Sequence, residues 1–596
     1  MRDLLVIGGA SLDVLHFSGK SVHSPGGAGL YTAAAANRMG VRVSMYAPRP
    51  DPMPESLKPL SERIEWIGPV ITVDELPRFE ITHLGGGKTE LQVSTLGVEH
   101  LLDPMGMPME LSQFQLVHIT ALGTAQNQLD FLKACRSKGA RWISIGTARS
   151  IIHRETESVR SLFDGADVFF MNADEACALF GSAEAAVTHP GKYLFITLGN
   201  EGVLVIQGEQ STHLPALEIE ELDPTGAGDS FCGATLAGLA MGEHPVMAAR
   251  AALPLAAHMI TAVGPTALWE EGPPPVETQD NRVVLNLNQI DRVAARISAL
   301  EESENFDFTG DGYPPVGHPV TIDFFFASTL QQFGFWETAE GRYSVPLIAT
   351  IDGVEAKGSD YLWLAYFRKL TQEDSDFFTP RRHAEMTRED MLELFRADDG
   401  SDPMPALDLH LAQARSYGED MLALGHEPIQ LVDAANAAED TLGTFLGLMD
   451  HIGGYKEDPL RKKPVLLALI LADRPEGFLK LRPDSPMPPI IDYHLMRSCL
   501  RTGLIDVVDS DLEERLQGRC LLEPEKEWAV RYSAYQAIEK LVEVSGKSMG
   551  FVDWFFFNSR RYCPEMTEPE CFRCHVDPVC AHRKDLFQPV FRTTAY

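Results

Sequence analysis

No stretch of about 18 consecutive apolar residues occurs in the 596-residue sequence, so no membrane-spanning helix is expected. Positive charge is also scarce: 51 Lys and Arg stand against 85 Asp and Glu, a net charge of -34. A surface of that sign repels phosphate backbones at long range, which argues against duplex nucleic acid as the main partner. Small anions, held by local amides and single cationic side chains, stay open. Cysteine is sparse, nine residues in all. Cys135, Cys177, Cys232, Cys499 and Cys520 are scattered, and most of them read as buried thiols of a reducing compartment. The opening MRDLLVIGGASLDVL lacks a secretory leader pattern and reads as a first strand running into a Gly turn. A cytoplasmic protein is the expectation. No repeat of fixed period is present.

The length exceeds what one hydrophobic core usually serves, so two or more domains are expected. Over residues 1–270, short apolar runs (LLVIGGA, RVSMYA, LVHIT, WISIG, VFFMN, LFITLG, GVLVIQG) alternate with helical stretches (YTAAAANRMG, LDFLKACRSKG, ADEACALFG, SFCGATLAGLAMG). That alternation predicts an α/β domain with a mostly parallel sheet. RFEITHLGGGKTELQVSTLG reads as a β-hairpin-like insertion. WEEGPPPVETQD opens a linker placed at 271–310. From 311 to 596 long helical patterns dominate, such as MPALDLHLAQARSYGEDMLALG and WAVRYSAYQAIEKLVEVSG, and a mainly helical domain is expected.

DPTGAGDSFCGATLAGL, from Asp223, puts small residues immediately before a helix. The N–H groups of Gly226, Ala227 and Gly228 would lie at a helix N-terminus, an anion site suited to a phosphoryl group in transfer. Asp229 at its lip could take the proton of an attacking hydroxyl, or simply cap the helix. D-x-T-G-A-G-D-x-F resembles the signature of the PfkB (ribokinase-like) sugar and nucleoside kinases. Other stretches agree in order. GGASLDVL implies that Asp13 binds sugar hydroxyls, and SPGGAGLYTAAAANRMG places Gly26 and Gly27 in the substrate motif. NADE puts Asn172 and Glu175 near Mg²⁺ and phosphate, and TLGNEG puts Thr197, Gly199 and Gly202 near the ATP phosphates. The resemblance implies ATP, Mg²⁺, transfer to a primary hydroxyl, a lid formed by the hairpin, and a homodimer through that lid. Two departures put the sugar in doubt. Tyr31 stands where the family often has Asn, and Gly146 replaces a frequent Asp. Tyr31 could stack on a nucleobase or pack as an ordinary aromatic.

The second half ends in CPEMTEPECFRCHVDPVC. Cys563, Cys571, Cys574 and Cys580 have the spacing C-x7-C-x2-C-x5-C and can converge on one metal centre. Four thiolates suit a [4Fe–4S] cluster or a structural Zn²⁺. Zinc sites usually pair two short knuckles, and only one is present. The pattern resembles the cluster loop of endonuclease III-type helix-hairpin-helix glycosylases with one extra residue in the first gap. His575 and His582 keep a mixed zinc site open.

TIDFFFASTLQQFGFW, KGSDYLW, IIDYHLMRSCLRTGLI and EWAVRYSAYQAIE follow in an order that resembles the queuosine-salvage N-glycosidases. Those enzymes cleave queuosine 5′-monophosphate to queuine and ribose 5-phosphate. The cysteine loop departs from that family toward the DNA-repair relatives. Cleaving an N-glycosidic bond needs a carboxylate facing the oxocarbenium-like sugar. Asp492, after a Pro-Pro turn, is the candidate, though it also reads as a helix cap; Asp323 and Asp360 are alternatives. Phe333, Phe335 and Trp336 could sandwich a flat base or belong to the core. Lys357 and Arg531 could pair with a 5′-phosphate or be solvated. Glu527, Arg531 and Glu539 share a helical face, either ion-paired or walling a pocket.

Together these readings predict a nucleoside kinase feeding a nucleotide N-glycosidase, with queuosine as the leading substrate. Two rivals are a sugar kinase joined to a DNA-repair glycosylase, and a kinase joined to a non-catalytic Fe–S module.

Overall fold

The structure is a computed structural model that describes residues 2–17, 20–85, 88–95, 97–98, 102–275, 280–302, 306–372, 374–482, 485–589, 591 and 593–596. The chain divides into two compact units, Met1–Thr278 and Gln279–Tyr596.

The first unit is an α/β layer structure. Its strands are β1 (Arg2–Ile7), β2 (Ser11–Phe17), β3 (Lys20–Gly26), β4 (Val43–Tyr46), β5 (Glu65–Ile67), β6 (Arg78–Gly85), β7 (Lys88–Thr95), β8 (Phe114–Ile119), β9 (Ile143–Gly146), β10 (Val168–Asn172), β11 (Tyr193–Thr197), β12 (Val203–Gln207) and β13 (Gln210–Leu214). Nine of them form one sheet, ordered β13-β12-β11-β10-β9-β8-β1-β4-β5. It is parallel from β5 to β11, with β12 and β13 added antiparallel at one edge. Leu4, Leu5, Val6 and Ile7 are all fully buried, the continuous apolar pattern of a strand covered on both faces. Every strand and helix expected from the alternation of apolar runs lies in this unit.

A second sheet, β3-β2-β6-β7, contains the expected hairpin. β6 and β7 pair antiparallel, and β2 pairs parallel with β6. Gly86, Gly87 and Leu96 of that expectation lie outside the described residues.

Two helices are packed unusually closely in this unit, α1 (Ala28–Arg38) and α2 (Ala227–Ala240). A Cβ on Gly233 would come within 2.1 Å of the Thr32 carbonyl oxygen. Ala and Gly at the contact therefore set the separation of the two helices, and with it the spacing of the residues at their N-termini.

The second unit is mainly helical. Part of the stretch expected as linker is instead structured. A strand, Val283–Leu285, pairs antiparallel with Ile505–Val507, and the helix Leu287–Ser298 buries Ile290, Val293, Ala294 and Ile297. Its apolar residues recur at helical spacing and need a core to cover them. Residues 276–279 and 303–305 of that stretch lie outside the described residues. Two antiparallel strand pairs, Trp336–Ala339 with Arg342–Pro346 and Ile348–Ile351 with Val354–Lys357, stand among the helices of this mainly helical unit. The helices that line the site are Ser359–Thr371, Lys462–Asp473, Tyr493–Thr502 and Met549–Ser559. No helix among the described residues is long and apolar enough to cross a membrane.

Candidate functional site

In the first unit the Gly-rich turn folds as a scaffolded helix start. Asp223, fully buried, accepts from the Thr225 N–H (3.0 Å) and the Gly264 N–H (2.7 Å) and so fixes the loop at both sides. Gly226 is the N-cap of α2 with φ 78°, in the left-handed region that favours glycine. A Cβ there would also fall 2.5 Å from the Tyr31 ring. Of the three amides expected to form an anion hole, that of Ala227 donates to the Pro224 carbonyl (3.1 Å). Gly226 and Gly228 remain the candidates.

Asp229 sits in the first turn of α2, and the Thr32 hydroxyl donates to its backbone carbonyl (3.3 Å). Burial pushes its carboxyl up to about 6, into the range of a working general base. Asp13 on β2 is buried, and burial pushes it up to about 6 as well. Its Oδ1 and the Tyr31 hydroxyl have no hydrogen-bond partner among the described residues. Burial, then the charges of Asp223, Asp13 and Asp229, drive the Tyr31 phenol well above its ordinary value. Tyr31 is thus gathered with these three carboxylates. It is 1% exposed, with its ring under Gly226, the position of a packed aromatic and not of a base-stacking platform.

Gly26 lies over Asp13, where a Cβ would sit 1.9 Å from Oδ2. Gly27, at φ 99°, would press a Cβ to 2.6 Å from the Gly9 carbonyl oxygen. Both glycines keep the Asp13 region open.

Asn172 and Glu175 form a reciprocal cap. The Glu175 N–H donates to Asn172 Oδ1 and the Asn172 N–H to Glu175 Oε2, both at 2.9 Å. Burial, opposed by the Asn172 amide and reinforced by the charges of Asp229 and Asp174, pushes Glu175 up to about 7. The like charge of Asp229 thus adds to burial in disfavouring the ionised form of Glu175. Thr197 ends β11, and Gly199 and Gly202 flank the following 3₁₀ turn with φ of 65° and 105°. Leu214 O would lie 2.0 Å from a Cβ on Gly202.

The second unit holds a cavity of about 230 Å³. Asp492, Asp360 and Phe335, expected from the sequence, line it. Asp492 is the N-cap of the helix Tyr493–Thr502, and its Oδ1 accepts from the His494 N–H (2.8 Å) and the Leu495 N–H (3.0 Å). Asp360 pairs with Arg560 at 3.0 Å. The walls also include residues that the sequence reading missed. Lys462, Leu466, Leu469 and Asp473 come from one face of one helix. Gly550, Asp553, Trp554 and Phe557 come from another. Phe306 stacks on Trp554 at 5.0 Å and 12°. A run of aromatics 250 residues upstream of its partner carries no spacing signal. The recurrence of Gly550, Asp553 and Phe557 at helical intervals could have been noticed.

Several expected site residues lie elsewhere. Phe333 stacks on His410 at 4.2 Å, and Trp336, 3% exposed, meets Phe587 edge-on at 5.5 Å. Both belong to the core. Asp323 does not line the cavity. Lys357 pairs with Glu565 at 2.5 Å. Arg531 is buried and holds Asp458 with two bonds of 2.8 Å. Each cation is paired with a carboxylate distant in sequence, and neither lines the cavity. Glu527 accepts from the Tyr596 hydroxyl at 2.6 Å. Its helical face with Arg531 is therefore a paired interior face and not a pocket wall.

Cys563, Cys571, Cys574 and Cys580 together line one small cavity of about 40 Å³. Arg501 donates to Cys563 Sγ (3.2 Å) and the His582 N–H to Cys580 Sγ (3.4 Å). Among the described residues, the one set of three or more ligand atoms within 4.8 Å of one another is Cys571, Asp577 and His582. His575 is not in that set. A single tetrahedral Zn²⁺ would draw four sulfurs to about 3.8 Å from each other. The four thiols line this cavity without closing to that spacing as a set among the described residues.

Comparisons with known proteins agree with the first site. Residues 1–271 match the family described as pfkB family carbohydrate kinase. The cytidine kinase of Thermococcus kodakarensis is 29% identical over 254 residues, 41% of this chain and 90% of that protein. The ribokinase of Bacillus subtilis is 28% identical over 269 residues, 41% of this chain and 87% of that protein. Among solved structures, the aminoimidazole riboside kinase of Salmonella enterica, complexed with aminoimidazole riboside and an ATP analog, is 20% identical. It covers 45% of this chain and 96% of that chain, with a TM-score of 0.37. Residues 1–271 are thus similar to the pfkB family of carbohydrate kinases, and the turn that holds Asp229 lies inside that match.

Proposed function

We propose that the chain is a two-step nucleoside salvage enzyme. The first unit transfers the γ-phosphoryl group of ATP to the 5′-hydroxyl of a nucleoside, with queuosine as the leading substrate. The second hydrolyses the N-glycosidic bond of the resulting 5′-monophosphate to free base and ribose 5-phosphate.

The observation that carries the reading is that each unit sets a carboxylate at a helix start, Asp229 on a glycine-capped turn and Asp492 in the wall of a cavity. In the first unit Asp13 orients the sugar, Asp229 accepts the hydroxyl proton, and the Gly226 and Gly228 amides face the transferred charge. Mg²⁺, held near Glu175 and Asn172, would neutralise phosphate oxygens. Relatives named as cytidine kinase and aminoimidazole riboside kinase support a riboside over a free sugar. In the second unit aromatic walls hold the base, and Asp492 faces the sugar as positive charge develops on it. Cys563, Cys571, Cys574 and Cys580 would hold a [4Fe–4S] cluster, which closes the cysteine loop. Neither proposed step transfers electrons, so that role is structural.

The test is product analysis by mass spectrometry on the purified full chain given queuosine, ATP and Mg²⁺. Queuine and ribose 5-phosphate are expected. Phosphorylation without base release reduces the second unit to a non-catalytic module, and no phosphorylation of queuosine rejects it as substrate.

A further inference from the structure

We propose that Asp553 is the general acid of the second unit's cavity, donating a proton to the departing base while Asp492 serves as the carboxylate facing the sugar. This rests on the N-glycosidase reading of that cavity and assigns a residue that the reading alone does not.

The two carboxylates reach the same space from different elements and in different states of engagement. Asp492 precedes the helix Tyr493–Thr502, and one of its oxygens already accepts two backbone N–H groups, the bonding of an anion. Asp553 projects from the middle of the helix Met549–Ser559, where no cap bond is available to it, and it forms no ion pair among the described residues. Its neighbours Trp554 and Phe557 and the ring of Phe306, stacked on Trp554 at 5.0 Å, are the aromatic wall of the cavity. A base lying on that wall would bring its ring nitrogens toward the Asp553 carboxyl.

The surroundings keep a proton on it. Burial first, then the charge of Asp492, hold the Asp553 carboxyl well above the usual carboxylate range, with Lys462 acting in the opposite direction. The other charged groups facing the cavity are Asp473, the Asp360–Arg560 pair and Arg561. A carboxylate bonded to two backbone amides, beside a desolvated one with no hydrogen-bond donor among the described residues, is the pattern of a divided anion and acid.

The step balances without an added reagent. The bond from C1′ to the base nitrogen breaks with its electron pair going to nitrogen. Asp553 gives that nitrogen its proton. Water adds its oxygen to C1′, and the proton it releases returns to the Asp553 carboxylate.

The test compares leaving groups on the full chain. Wild type, D553N, D553E and D492N are given queuosine and guanosine 5′-monophosphates, and separately p-nitrophenyl ribofuranoside 5-phosphate, whose leaving group departs without a proton. D553N should lose about 100-fold in base release yet stay within about threefold of wild type in p-nitrophenol release, and D553E should recover part of the loss. D492N should fall on both substrate types. p-Nitrophenol release by D553N also reports that the variant is folded. Equal losses on both types, or no loss on either, would overturn the assignment of Asp553 while leaving the glycosidase reading standing. Failure of wild type to cleave any of them would overturn both.

Discussion

Asp229 and Asp492 both stand at the start of a helix, yet the two helix starts are built differently. Gly226 caps the first helix with backbone alone, and no side chain bonds its N-terminal amides as a cap. The Asp229 carboxyl is therefore spared for proton transfer. Asp492 caps its own helix through Oδ1, so part of its bonding capacity is spent on structure and its suitable task is to face positive charge. The difference teaches that an acidic residue at a helix N-terminus is informative only with its cap partner. A spared carboxylate points to acid–base work, and a bonded one to electrostatics.

Breaking that comparison at its stronger side gives the largest effect. D229N should lower phosphorylation about 10³-fold, read as ADP release, while supplied 5′-monophosphate is still cleaved at the wild-type rate. If D229N stops both reactions, the two sites are not independent. On the other side, D492N keeps an acceptor for the helix amides and removes only the charge. Base release should fall about 100-fold with little change in melting temperature, whereas D492A should lose about 1 kcal/mol of stability in addition. A third variant addresses the cysteine cavity. C574S should lower the second unit's melting transition by about 5 °C or more and leave ADP release unchanged. A colourless wild-type protein carrying one zinc would overturn the cluster assignment.

The smallest effect is a pH dependence with opposite signs for activity and stability. With Asp229 at about 6, phosphorylation should rise as pH increases through 6 and level off above it, since the base form is the deprotonated one. Asp13, Asp229 and Glu175 are all raised, to about 6, 6 and 7, so the folded unit holds their protons longer than the unfolded chain. Their contribution to stability is present below about pH 4 and is lost as pH rises from there through 6 to 7. A denaturant series on a variant lacking all three carboxyls should flatten that slope.

The first site was largely legible because its information is contiguous. Asp223 to Asp229 form one turn, and the strands around it announce themselves as apolar runs. What the sequence did not reveal there is that Ala227 spends its amide on Pro224 and that the Tyr31 ring forms a floor under Gly226. Both depend on how the chain folds back. The second site was legible only at Asp492, Asp360 and Phe335. Its cavity is assembled from residues near 306, 462, 492 and 553, and nothing in local spacing joins them. For Phe333 and Trp336 the sequence leaves base binding and core packing open, because an aromatic run is also what a core demands, and both are core. Arg531 reads as a phosphate partner or a solvated cation and is neither solvated nor unpaired. Its partner Asp458 lies 73 residues away and is invisible to a reading along the chain.

Two helices touch both spaces of the second unit, Met549–Ser559 and the shorter Tyr493–Thr502. Tyr493 and His494, at the start of Tyr493–Thr502, face the larger cavity, and Ser498, Arg501 and Thr502, toward its end, face the cysteines. A ten-residue helix is a rod about 15 Å long, and each residue advances it by about 100°. Inserting or deleting a single residue between His494 and Ser498 would swing one end out of phase with the other. Substitutions along the rod are tolerable in principle, but its length is not adjustable. A change of register there would separate the two spaces even with every lining residue intact.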